Sequence, residues 1–296
     1  MRRMSETRII ENSRFVVKVE DLGAELSSIY DKKNDRELIW NADPEWWPRH
    51  APVLFPSVGV THNGHYKYRG KSYPMSQHGF ARDMEFTFLG QEGDALVHEL
   101  KATAETKETY PFDFVFQVRH ILKEDGVVVD WTVKNEDNDE MLFTIGAHPA
   151  FVVPAKEGTE QKDYKLTFDG QKELKYIYIN EEGTAIYRDV KTLPLEDGCY
   201  EIGEHLFDNG VLIFENKQVE KVGFAFPDGS EYLTIDCKGF PFVGIWTKPN
   251  APFICLEPWY GRCDNEDFTD EYENKVGIQK LGGKENFHAA YTIHIA

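Results

Sequence analysis

Apolar and polar residues alternate with a period of two along most of the chain, the pattern of half-buried β-strands. Phe15, Val17 and Val19 share one face of such a segment, and Leu22, Ala24 and Leu26 begin the next after a one-residue break. The longest run is Phe112, Phe114, Phe116, Val118, His120 and Leu122, interleaved with Asp113, Val115, Gln117, Arg119 and Ile121. Glu124-Asp125-Gly126 then gives a turn, and Val127, Val129, Trp131 and Val133 begin a second run. Together they predict a hairpin with one strongly apolar face. A polar turn over 135–140 leads into an apolar segment at 141–145. Further strands are expected at 164–168, 211–214, 222–226, 232–236, 242–246, 253–256 and 291–295. Pro227-Asp228-Gly229-Ser230 has the turn chemistry to join two of them. Helical periodicity is poor throughout, and only 267–274 has the character of a short surface helix.

About fifteen short strands in an unbroken chain predict an all-β fold, a large antiparallel β-sandwich with at most short helices. No Ser/Gly/Pro linker divides the chain and no repeat of about 20–50 residues appears, so residues 1–296 read as a single domain. Alternating β-α units are missing, which argues against a TIM barrel or a dinucleotide-binding sheet.

Aromatic residues are 14% of the sequence, with 20 Phe and 14 Tyr, and this enrichment favours strands over helices. A hydrophobic share of 41% excludes a disordered chain, and 296 residues bury a core that needs no disulfide or metal staple. Lys plus Arg number 33 and Asp plus Glu 51, for a net charge of −18. Such a surface repels nucleic-acid backbones and anionic membranes, so neither is expected as a partner. Residues 1–15 carry Arg2, Arg3 and Arg8 but no apolar core of a secretory signal, and no later run is long enough for a membrane helix. Cys199, Cys237, Cys255 and Cys263 form no C-x-x-C pair, and the expectation is four reduced thiols in a cytoplasmic protein.

Three places break the strand rhythm with reactive side chains. They are Ser76-Gln77-His78-Gly79-Phe80-Ala81-Arg82, Gly146-Ala147-His148-Pro149-Ala150-Phe151, and Phe253 to Gly261 around Glu257. Gly79 frees the backbone beside His78, and Pro149 holds His148 extended just past a strand. Glu257 follows an apolar strand and precedes a proline, a cramped position for a charge. Taken singly, each also has a structural reading. A histidine at a strand end is usually a hydrogen-bonded structural group, and Glu257 could cap a turn with Arg82 as its ion-pair partner.

Four segments in order resemble the aldose 1-epimerase (galactose mutarotase) family. They are Pro52-Val53-Leu54-Phe55-Pro56-Ser57-Val58-Gly59, His78-Gly79-Phe80-Ala81-Arg82, Gly146 to Phe151, and Leu256-Glu257-Pro258-Trp259-Tyr260-Gly261. The branch they resemble most is the mutarotase-related one found in lactose-utilisation operons. Leu22-Gly23-Ala24-Glu25-Leu26, Ile39-Trp40 and the ending over 282–295 extend the resemblance over nearly the whole chain. It implies a β-supersandwich and the interconversion of the α and β anomers of a free aldose. By resemblance, Glu257 matches the base that takes the C1 hydroxyl proton. His148 matches the acid that protonates the ring oxygen, His78 the histidine that helps hold that oxygen, and Arg82 a substrate-contacting arginine. The acidic residue that this branch often carries in a further loop falls on Gly210, and Asp208 is the nearby substitute. Trp246, Trp259 and Phe80 are candidate platforms for a pyranose, with Trp46 and Trp47 further off.

Moving one proton off O1 and one onto O5 is work for a general acid–base pair, so no metal or organic cofactor is required. The expected ligand is a monosaccharide or sugar phosphate, bound by a monomer or homodimer. Glucose, galactose and a hexose 6-phosphate remain open, with Arg82, Lys248 and Arg262 as the basic residues near the motifs. Other readings are a non-catalytic sugar-binding or regulatory protein, and a metal enzyme built on His78, His148 and Glu257 or on His62 and His65. A glycosidase or lyase would need a second carboxylate, for which Asp208 is the one companion of Glu257.

Overall fold

The computed structural model describes residues 5–296, so Arg2 and Arg3 lie outside the described residues. Two large antiparallel sheets dominate. The nine-stranded sheet runs Cys199–Glu201, Lys165–Phe168, Lys221–Ala225, Glu231–Asp236, Asn286–Ile295, Gly126–Asn135, Phe114–Leu122, Ala95–Lys101 and Thr87–Glu92. The eight-stranded sheet runs Lys191–Pro194, Glu173–Ile177, Leu212–Phe214, Phe242–Trp246, Phe253–Tyr260, Ile145–Ala147 and Val53–Leu54, with Ala150–Val152 also paired to Phe253–Tyr260. A four-stranded sheet holds the first strands, from Thr7–Glu11 to Arg36–Glu37. This is the expected large antiparallel β-sandwich.

The predicted hairpin forms, in a register that runs from Phe114 opposite Asn135 to Leu122 opposite Val127. Its apolar face points at the second sheet. Phe116, Val118, Val129 and Trp131 share one buried cluster with Val243, Ile245, Ile254 and Leu256. The core therefore lies between the sheets. Deleting a fully buried ring from it, such as Phe116, would cost about 3–5 kcal/mol.

The described residues form 25 strands, more than the alternation pattern predicts. The additional ones are mostly short or polar, like the hairpin of His65–Tyr68 with Lys71–Pro74. The surface helix expected at 267–274 is absent; a single 3-10 turn, Tyr272–Asn274, stands there. Tyr272 is buried, stacks near Tyr66 and donates its hydroxyl hydrogen to the Pro56 carbonyl at 3.2 Å, so the segment is pinned inward. The α-helix that does form is Ala104–Thr109. Thr103 and Thr106 cap it reciprocally, each hydroxyl accepting from the other's backbone N–H. No helix among the described residues is long and apolar enough to cross a membrane.

Candidate active site

Phe253–Tyr260 is the central strand of the site. Ile254 and Leu256 point into the core, while Phe253, Cys255, Glu257 and Trp259 alternate onto the opposite face. Two strands pair with it in one unbroken register: Gly146 lies opposite Trp259, and Ala150 opposite Cys255. The short break between them holds His148 and Pro149, and that register places His148 across from Glu257. The backbone confirms it, because the Leu256 N–H donates to the Pro149 carbonyl at 3.2 Å. His148 Nε2 lies 3.3 Å from Glu257 Oε2, out of line for a hydrogen bond.

On the other flank, Glu257 pairs with Gly244, which has no side chain to crowd it. The Trp259 ring lies over Gly244 and Gly146. A Cβ on either glycine would fall 2.3 or 2.4 Å from the indole. Its N–H donates to the Ala147 carbonyl at 3.2 Å.

His78 arrives from a separate loop. Its φ is +66° and that of Gly79 is +71°. A Cβ on Gly79 would stand 2.3 Å from the Phe55 carbonyl oxygen, so glycine is required there. Two bonds lock the imidazole: the His78 N–H donates to the Gly59 carbonyl at 2.9 Å, and the Gly59 N–H donates to Nδ1 at 3.1 Å. Because Nδ1 accepts, the neutral ring carries its proton on Nε2. The His78 and His148 rings stand perpendicular, with centroids 5.5 Å apart.

These side chains line a cavity of about 310 Å³ together with Arg82, Trp47 and Trp246. Burial pushes the Glu257 carboxyl well above the usual carboxylate range, opposed by the nearby Trp259 indole. Burial likewise pulls His148 down to about 3, and the positive charges of Arg82 and Arg49 act in the same direction. Loss of hydration holds His78 well below its ordinary value, reinforced by His148, Arg82 and Arg49. Both Glu257 oxygens and His148 Nδ1 are buried without a hydrogen-bond partner. Buried polar groups are nearly always paired, so this orphaned set marks a place prepared for a polar ligand.

Arg82 donates through Nη2 to the Gln77 carbonyl at 2.7 Å, and its Nε makes no hydrogen bond but lies 3.7 Å from Asp83 Oδ2. Burial draws its guanidinium down to about 10, with Arg49 repelling it. Trp246 stands edge-on to His148 at 5.6 Å. Trp47, which the motif spacing leaves further off, stacks on His148 at 4.8 Å. Its loop is tied down by Glu25, whose Oε1 accepts from the His50 and Ala51 N–H groups at 2.7 and 2.9 Å. Nothing in the local sequence around Trp47 signals this.

Other candidates fall elsewhere. Phe80 packs against Phe55, Tyr110 and Phe114 in the core. Asp208 is exposed, 2.9 Å from His205, beside a different and more open hollow. It does not stand in for an acid at this cavity. Arg262 is buried in an ion pair with Glu215 at 2.7 Å, whereas Lys248 reaches the cavity rim and donates to the Trp46 carbonyl. His62 and His65 do not line the cavity. The only His/Cys/carboxylate trio close enough to share an ion among the described residues is His148, Cys255 and Glu257, without His78.

The chain belongs to the aldose 1-epimerase family, whose profile matches residues 7–247. It is 29% identical to the LacX protein of Lactococcus lactis subsp. lactis, over 97% of this chain and 98% of that one. Among solved structures, it is similar to a galactose mutarotase related enzyme from Lactobacillus acidophilus. That match has a TM-score of 0.92 and 31% identity, and covers 98% of this chain and 97% of the other. A galactose mutarotase-like protein from Lactobacillus casei ATCC 334 superposes with a TM-score of 0.91 at 33% identity, covering 98% of this chain and all of the other.

Proposed function

We propose that the protein interconverts the α and β anomers of an aldohexose or hexose phosphate by acid–base ring opening. The observation that supports this most is the His148–Glu257 pair, held opposite one another by strand register inside a cavity of hexose size, with both carboxylate oxygens unpartnered.

Glu257 takes the proton from the C1 hydroxyl as the C1=O bond forms and C1–O5 breaks. His148 delivers a proton to O5. Rotation about C1–C2 presents the other face of the aldehyde, and the two transfers run in reverse to close the ring. The chemistry needs one proton shared between base and acid. Burial favours the neutral forms of both groups, a carboxylic acid and an imidazole, which together hold that one proton. Relay of that proton through a hydroxyl of the bound sugar, rather than directly across the misaligned 3.3 Å gap, converts this resting pair into the reactive one. His78 presents Nε2–H as a donor to O5, and Trp47 and Trp246 supply apolar walls for the pyranose. Glu257 is the only carboxylate among the cavity's lining residues, which counts against a two-carboxylate glycosidase.

Asp83 already bridges Arg49, at 2.8 Å, and Arg82, at 3.7 Å, but Arg82 and Lys248 are the cations that line the cavity and could meet an anionic substituent. That keeps a hexose 6-phosphate beside glucose and galactose as a substrate. Anomer exchange followed by NMR saturation transfer, with free and 6-phosphorylated sugars side by side, tests the proposal. Glu257→Gln and His148→Asn should each lower the rate by about 10²-fold or more. No enhancement over buffer for any of these sugars would favour a sugar-binding protein without catalysis.

A further inference from the structure

The acid–base chemistry leaves Cys255 unused. It is completely buried, and it shares a strand face with Glu257 two residues away. One ligand atom each from Cys255, Glu257 and His148 lies within 4.8 Å of the others. We propose that these three residues form a binding site for a soft divalent metal ion, Zn²⁺, and that its occupation shuts down ring opening.

The geometry is close to what zinc asks for. Nitrogen and oxygen ligands on a tetrahedral zinc, each about 2.0–2.1 Å from the ion, stand about 3.3 Å apart. His148 Nε2 and Glu257 Oε2 are already 3.3 Å apart. A thiolate at about 2.3 Å from the ion would stand about 3.6 Å from either, so a small side-chain shift within the 4.8 Å span completes the trio. Both Glu257 oxygens are buried without a partner, a second sign of a ligand at this spot.

Charge agrees. Separate ions are costly in this dry pocket, but Zn²⁺ with one carboxylate and one thiolate is neutral overall. The thiol and carboxyl protons both leave to solvent as the metal–sulfur and metal–oxygen bonds form. A sulfur, a nitrogen and an oxygen donor select zinc over calcium or magnesium. The fourth coordination position faces the cavity, open to water or a sugar hydroxyl. The metal would hold the same Nε2 and Oε2 lone pairs that move protons in the proposed reaction. Inhibition therefore rests on that reading, whereas metal binding does not.

Titration of the full-length protein with Co²⁺ separates the two. A thiolate-to-cobalt charge-transfer band should appear at one ion per chain and disappear on Zn²⁺ addition. Cys255→Ala, or Cys255→Val if the first folds poorly, should lose the band and bind Zn²⁺ at least about tenfold more weakly. Without metal it should retain anomer exchange. Cys199→Ala, at the one thiol that is not buried, should keep the band. Zn²⁺ should inhibit the wild type and spare the Cys255 variant. No band in the wild type, or a band and inhibition unchanged in the Cys255 variants, overturns the proposal. A Cys255-dependent band in a protein with no anomerase activity would uphold the metal site and refute the catalytic reading instead.

Discussion

Glu257 is a carboxyl group shut away from water, and this has a cost that titration can read. Its folded pKa is raised, so the unfolded chain ionises first as pH climbs past the ordinary glutamate range. The contribution of this group to stability is then full at low pH and is lost as pH rises toward the folded value. Glu257→Gln lacks this loss. Its melting temperature should gain on the wild type as pH is taken from 5 to 8, and a gap that stays constant would contradict the buried, high-pKa carboxyl. His78 makes a different kind of contribution. Its ring is held by Gly59 through Nδ1, so His78→Asn should raise KM and lower kcat together, because both orientation and the Nε2–H donor are lost.

At the scale of elements, strand register and loop strain aim the groups. Gly79→Ala would drive a methyl into the Phe55 carbonyl and displace His78, so it should lower both thermal stability and anomer exchange. Thr103→Ala removes one half of a reciprocal cap and should cost about 1 kcal/mol in denaturant unfolding without touching the rate. The long hairpin was legible because its period-two apolar face is unbroken from Phe114 to Leu122. The short Ala104–Thr109 helix was not, since six residues give too little periodicity and its start depends on a Thr–Thr cap. His148 stood out as a titratable group just past a strand and Glu257 as a charge after an apolar run, although that strand continues through Glu257 to Tyr260. Their facing each other depends on a continuous register across a two-residue break, which no local pattern contains. Trp47 was set further off than it is for a related reason: a buried carboxylate from the opening strands, Glu25, brings its loop over the site. Asp208 had the right chemistry, but its loop belongs to a neighbouring hollow.

Across the whole molecule, burial of histidines sets the response to acid. His98 and His120 lie in the core, and burial pulls His120 down to about 3, with His98 adding to the effect. The unfolded chain takes up these protons first as pH drops below about 6.5. Stability should therefore fall progressively from pH 6.5 toward 3, and His120→Leu should flatten that slope in a series of denaturant titrations. The net charge of −18 acts at longer range. It slows the approach of an anionic sugar, so added salt should raise kcat/KM for a hexose 6-phosphate and leave a neutral hexose unaffected. Equal salt responses would show that Arg82 and Lys248 already screen the entrance.

The central strand carries reactive groups on one side and load on the other: Glu257 is flanked in sequence by Leu256 and Pro258, and every backbone adjustment there is felt in the main apolar interior. Evolution or an engineer seeking a new sugar preference has little freedom in that ribbon. The malleable ground is the rim around Gln77 and Lys248, where sequence can drift while the proton-handling machinery stays put.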